Sequence, residues 1–127
     1  MAKRSVVKVP GMAGHRNPIP TCVTLGDLIL PSVISGHDPS GTDPITDPAR
    51  QIQQAFVNMK HIIESAGGTL DGIGKVVVYL KDFSHRQFVN EQWLAMFPDE
   101  GNRPARHVMK ADLQGTTWIQ MDVIASK

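Results

Sequence analysis

The side chains able to do chemistry in this chain are few and scattered. Five histidines, His15, His37, His61, His85 and His107, include no pair at the i, i+4 spacing that puts two metal ligands on one helix face. They form no recognisable ligand set, so no metal is expected. The single cysteine, Cys22, excludes an internal disulfide and every multi-cysteine zinc pattern, and without a base partner it reads as a small buried apolar residue. Arg106 opens a predicted strand, where an arginine is ordinarily a surface ion-pair residue. A guanidinium is also the side chain best matched to a carboxylate, because it presents parallel donors and keeps its proton near neutral pH. If Arg106 is functional, its role is to bind and orient. His15 precedes a proline-rich stretch placed to fold over a cleft, which makes it the one histidine kept as an acid–base candidate. Gly36 and Gly41 are not followed by a strand-to-helix phosphate loop, so nucleotide binding is not expected.

Composition bounds the setting for these residues. The 127 residues make one domain, 1–127, and 41% apolar content is enough for a core without covalent staples. A formal net charge of +1, with no basic run to track a phosphate backbone, argues against nucleic acid as a partner. The longest apolar stretch, Val76 to Leu80, is far short of a membrane span. No export signal is apparent in the N-terminal residues, so a cytoplasmic location is expected.

The elements that must position the chemistry follow from periodicity. Val6, Val7 and Val9 suggest a first strand, and Thr21–Leu25 and Leu28–Ile34 a hairpin around Gly26-Asp27. Pro31 lacks a ladder donor and implies an edge position or a bulge. Asp47 and Pro48 are an N-cap and first-position pair opening a helix, and Ile52, Ala55, Phe56, Met59, Ile62 and Ile63 form its apolar stripe. Gln51, Gln53, Asn58, Lys60, Glu64 and His61 are expected on its solvent side, and Gly67 stops it. Ile73–Leu80 reads as a central strand buried on both faces. A second helix is expected from Ser84, with a Ser84/Gln87 capping box and a Phe83/Phe88 staple, ending at Pro98. Ala105–Ala111 and Thr117–Ser126 close the chain around a Gln114-Gly115 turn.

The expected order is βββαβαββ, an α/β sheet with two helices on one face. Ile119, Met121, Val123 and Ala125 alternate as an apolar face, which leaves Trp118, Gln120, Asp122 and Ile124 on the other. Arg106, Val108 and Lys110 are expected to share that second, mixed face, which then needs water or a partner subunit.

Taken together, these residues resemble the Rid family of reactive-intermediate enamine/imine deaminases, also called YjgF. The resemblance runs through Gly26-Asp27-Leu28, Ser32 and Asp38-Pro39, then Ala66-Gly67-Gly68-Thr69-Leu70-Asp71 and Tyr79-Leu80-Lys81-Asp82. Val89-Asn90 with Phe97, and Arg103-Pro104-Ala105-Arg106, complete it. It implies a chorismate-mutase-like fold closed into a homotrimeric barrel, with ligand clefts between subunits and no cofactor. It further implies that Arg106 holds the carboxylate of a small imino or enamine acid while water attacks the imine carbon. Ser32, Asn90, His107 with its backbone groups, and Gln120 occupy matching substrate-binding positions.

Two departures from the family pattern bear on the activity. Pro18-Ile19-Pro20 stands where deaminating members carry a tyrosine, and Gln120 stands where the family usually has a glutamate. An amide can orient a water but cannot accept its proton. The resemblance therefore implies either a deaminase or a non-catalytic trimer that binds a small carboxylate or other proteins. Asp122, two residues along the strand, is not expected to replace the glutamate.

Overall fold

The computed structural model describes residues 3–127. Its strands are β1 (Arg4–Val7), β2 (Cys22–Leu25), β3 (Leu28–Pro31), β4 (Ile34–Ser35), β5 (Ile73–Leu80), β6 (Ala105–Lys110) and β7 (Ile119–Ser126). The helices are α1 (Pro48–Ser65), between β4 and β5, and α2 (Arg86–Met96), between β5 and β6. The strands belong to one mixed sheet ordered β1-β2-β3-β7-β5-β6, with β4 also paired to β7. Only β5 and β6 are parallel, and α2 supplies the crossover such a pair requires.

Local sequence explains most boundaries. Gly26 takes φ +60° in the β2–β3 turn, a conformation that costs glycine little. Pro31 interrupts the predicted Leu28–Ile34 strand, so β3 ends and β4 begins after Ser32-Val33. Five chain steps from Ile29 to Ile34 oppose four from Ala125 to Met121, which is one extra residue and hence a bulge. The bulge is the correct alternative for Pro31, because β3 lies inside the sheet between β2 and β7. Asp47 caps α1, its carboxylate accepting from Arg50 N at 3.0 Å, with Pro48 at the first position.

The second helix starts differently from expectation. Asp82 Oδ1, not Ser84, is the cap acceptor, taking hydrogen bonds from Ser84 N at 2.9 Å and Ser84 Oγ at 2.7 Å. A short 3₁₀ turn, Phe83–His85, then leads into α2. Phe83 stays exposed beneath the Arg86 guanidinium.

Both helices cover one side of the sheet. Phe56, Met59 and Ile63 of α1 and Val89 and Trp93 of α2 share one core with Val76, Val78, Met121 and Val123. Each fully buried large apolar side chain contributes roughly 1.5–3 kcal/mol. Cys22 is fully buried in the same core, and burial raises its thiol pKa, as a structural cysteine requires.

Register corrects two expectations. β5 alternates: Val76, Val78 and Leu80 are buried, whereas Val77 and Tyr79 are half-buried on the side without helices. It is central but not buried on both faces, because the chain places helices on one face only. The closing strands are not neighbours either, since β5 lies between β6 and β7.

Two polar residues predicted for the solvent side of α1 are buried instead. Gln51 Nε2 donates to Ile45 O at 2.9 Å and Thr116 O at 2.8 Å, and its Oε1 accepts from Trp118 N at 2.6 Å. Asn58 Nδ2 donates to Ser35 O and His37 O, both at 2.9 Å, while its Oδ1 accepts from Gln54 Nε2. His61 is half-buried as well, with Nε2 2.6 Å from Pro10 O. Helical periodicity assigns these positions to water, but loops fold back over α1 and bring their own unpaired backbone groups.

Removing the Asn58 amide strands two carbonyls under the helix. Asn58→Ala is expected to cost about 2–4 kcal/mol. In urea unfolding the midpoint should fall with the slope unchanged; an unmoved midpoint would show that water replaces the amide.

Candidate functional site

The sheet register divides the residues singled out in the sequence into two groups. Arg106 pairs with Val76 across β5, and Val76 is buried beneath the helices, so Arg106 lies on the helix side. Val108 and Lys110 follow it there. Gln120 pairs with Tyr79, Asp122 and His107 with Val77, and all lie on the open face. Arg106 therefore does not share a face with Gln120 and Asp122, contrary to expectation. The β6 alternation was assigned the wrong parity because the sequence gives two equally plausible faces and no buried marker between them. Trp118 is also turned away from its expected place: its indole donates to Thr46 O at 2.8 Å and its ring packs edge-on against His85.

The first group is a clamp at the sheet edge. Arg106 Nη2 donates to Asn90 Oδ1 at 2.8 Å, and the guanidinium sits 5.0 Å from the centroid of the buried Trp93 ring. Trp93 at i+3 from Asn90 puts both side chains on one face of α2, over β6. Arg106 Nη1 is buried with no hydrogen-bond partner, and among the described residues the guanidinium makes no ion pair. Burial, and then the like charge of Arg86, lowers the Arg106 pKa from its ordinary value. The site holds a cation without a counter-ion, with the ring face and one amide as its support. Such a cation is electrostatically uncompensated within the chain.

The second group lines a cavity of about 460 Å³ beneath the 12–17 loop. Ser32 and Gln120 both face it, together with His15, Ser35 and His37. The loop is held across the chain by Ala13 N donating to Pro39 O at 2.8 Å. Ser32 Oγ donates to Pro20 O at 2.7 Å, so its hydroxyl proton is committed to the segment before β2 while its lone pairs remain. His15 Nδ1 accepts from Asn17 N at 3.1 Å. Ile19 is exposed and does not line the cavity, whereas Thr21 and the residues from Met12 to Asn17 do. His107 is exposed on the open face.

Within one chain the structure thus brings Arg106 to Asn90 and brings Ser32 to Gln120, but it does not bring the two pairs together. The sequence reading missed Trp93 as the ring beneath the clamp, having placed it only as core. It also passed over His37, although Ser35 opposite Gln120 in the β4–β7 register is a signal that the hairpin pattern would have yielded once the bulge was placed.

A one-sheet α/β domain with two helices on one face, an unpaired arginine held against a tryptophan and a polar cavity is the class of protein that this geometry defines. Residues 18–126 match the family described as endoribonuclease L-PSP, and the chain belongs to that family as a divergent Rid member. It is similar to a RutC family protein of Haemophilus influenzae, 31% identical over 121 residues that cover 93% of this chain and 91% of that one. A 2-iminobutanoate/2-iminopropanoate deaminase of Escherichia coli is also 31% identical, over 81% of this chain and 82% of its own. Among solved structures, RidA from an Antarctic Psychrobacter has the same fold, with a TM-score of 0.87 at 24% identity over 97% of this chain and 99% of that one.

The unpaired clamp makes a prediction about stability. Asn90→Asp puts a carboxylate against Arg106 and should stabilise the fold by about 0.5–1 kcal/mol at neutral pH. The new carboxyl has a folded pKa below its unfolded one, so the gain is complete above the unfolded value near 4 and disappears as pH falls through the folded value. Thermal melts of both proteins at pH 7 and pH 3 measure it; an equal gain at both values would refute the pairing.

Proposed function

We propose that the protein hydrolyses small 2-imino or enamine carboxylates to keto acids and ammonia, in clefts formed where copies of the chain meet as a homotrimer. The observation that carries this reading is the buried, unpartnered Nη1 of Arg106 on a guanidinium with no carboxylate to pair with. The deaminase names of relatives in Escherichia coli and Dermatophagoides farinae support the substrate class. Arg106 grips the substrate carboxylate, Asn90 fixes the guanidinium, and Ser32 and the backbone at His107 complete the binding surface. Gln120 orients the attacking water.

The geometry of the single chain supports assembly. Arg106 and Gln120 lie on opposite faces of the sheet, so a neighbouring copy is the means by which one would reach the other. The open face, with Val77, Tyr79, Met109 and the half-exposed Ile124, is apolar enough to be covered by that copy. The chemistry calls for no cofactor: breaking C=N with water requires a held carboxylate, an oriented water and proton transfer.

A second reading, a trimer that binds small carboxylates without turning them over, is favoured by the absence of a phenol at Pro18-Ile19-Pro20 and by the amide at Gln120. Ammonia release from freshly generated imino acids decides between the two. The net charge of +1 without a basic aromatic stripe favours neither an RNA substrate nor an RNA partner.

Light scattering on the size-exclusion peak should give three times the 13.9 kDa chain mass. A monomer at micromolar concentration would remove the cleft. Arg106→Lys keeps the charge but loses the planar fork, and kcat/KM for deamination should fall about 10²-fold as two charge-assisted hydrogen bonds are replaced by one. Equal rates for the two proteins would show that the carboxylate binds elsewhere.

A further inference from the structure

We propose that His37 is the general base of this cleft and takes the proton of the attacking water that the Gln120 amide cannot take. The inference rests on the deaminase reading above and deepens it.

The cavity beneath the 12–17 loop gathers His37, Ser35, His15 and Gln120 on one surface. Ser35 lies directly opposite Gln120 in the β4–β7 register, and His37 Nδ1 is 2.6 Å from Ser35 Oγ. A serine hydroxyl can accept as well as donate. With Nδ1–H donating to Ser35 Oγ, the lone pair is on Nε2, free to act as a base. His15 is differently placed. Its Nδ1 accepts from Asn17 N–H, which puts the proton of the neutral ring on Nε2 and makes that nitrogen a donor.

His37 is also the better anchored of the two. Asn58 Nδ2 donates to the carbonyls of both Ser35 and His37, so the backbone is pinned on either side of Gly36. Gly36 lies so close to Gln51 that any Cβ there would collide with the Gln51 carbonyl. The imidazole is thus held by a buried amide and a close-packed glycine while its ring stands exposed at the cavity mouth. A base needs this combination of fixed origin and access to water.

Its charge state suits the role. Partial burial, and the nearby His15, hold the His37 pKa below the ordinary imidazole value of 6.5, against the opposing pull of Asp38. The other charged groups facing it are Arg16, across the cavity, and Asp43, across the adjoining cleft, while α1 and β7 bring only the amides Gln51, Asn58 and Gln120. The ring is accordingly held toward its neutral form relative to a free imidazole.

The steps balance without a further reactant. Water adds to the carbon of the protonated imine as the C=N π pair moves to nitrogen, and the water proton goes to Nε2. The imidazolium returns that proton to the amine nitrogen of the carbinolamine. The C–N bond then breaks with its pair on nitrogen as the hydroxyl closes to C=O, and the hydroxyl proton leaves with ammonia as ammonium.

The test is ammonia release across pH by wild type, His37→Asn, Ser35→Ala and Arg106→Lys. Wild-type kcat should fall as pH drops through a single ionisation below 6.5. His37→Asn keeps a polar atom toward Ser35 but cannot titrate; its kcat should fall about 10²-fold with KM nearly unchanged, the acid limb should vanish, and added imidazole should restore part of the rate. Ser35→Ala, which retains the ring, should shift the acid limb and lower kcat severalfold, and it decides the matter if His37→Asn does not fold. A folded His37→Asn with wild-type kcat and an unmoved limb overturns the assignment of the base, and an inactive Arg106→Lys beside it would leave the deaminase reading standing. Wild-type protein that releases no ammonia would take both down together.

Discussion

The two amides buried by α1 are the constraint on which the rest of the site depends. Gln51 closes three hydrogen bonds to backbone from the loops before α1 and before β7, and Asn58 closes two to the β4 loop. These segments carry backbone groups that no strand satisfies, and burying them unpaired would cost about 1–3 kcal/mol each. One helix face thus does two jobs: its apolar stripe packs the core, and two polar positions within the same buried surface fix the loops that shape the cavity. Moving α1 by a fraction of a turn would break the loop anchors before it emptied the core.

That arrangement accounts for what could be read in the sequence. The α1 stripe, its Asp47-Pro48 start, the Gly26-Asp27 turn and the apolar side of β7 are each specified by residues within a few positions of one another, and all appear in the structure. Gln51 and Asn58 were assigned to solvent because periodicity ranks residues by polarity, while their burial is decided by loops distant in the chain. β5 misled for a related reason. Val76 to Leu80 is one continuous apolar run, and such a run reads the same whether or not a helix covers its second face.

The site itself was legible as residue types and not as an arrangement. Arg106 and Asn90 do meet, and Ser32 and Gln120 do share a cavity, but the parity of β6 was invisible without its register against β5. A slip of one residue in a strand exchanges its faces. Neither Arg106-His107-Val108-Met109 nor its flanks contains the strict polar–apolar alternation that would have fixed the choice.

The reversed parity changes what kind of clamp Arg106 can be. On an open sheet face its guanidinium would be solvated. Under α2 it is held against Trp93, given one neutral acceptor in Asn90, and kept near the like charge of Arg86. A carboxylate at position 90 would have neutralised the cation; the amide takes one donor and leaves the charge uncompensated. Among the described residues the cation is therefore supported by one neutral hydrogen bond and an aromatic face, with no counter-charge to offset its partial desolvation.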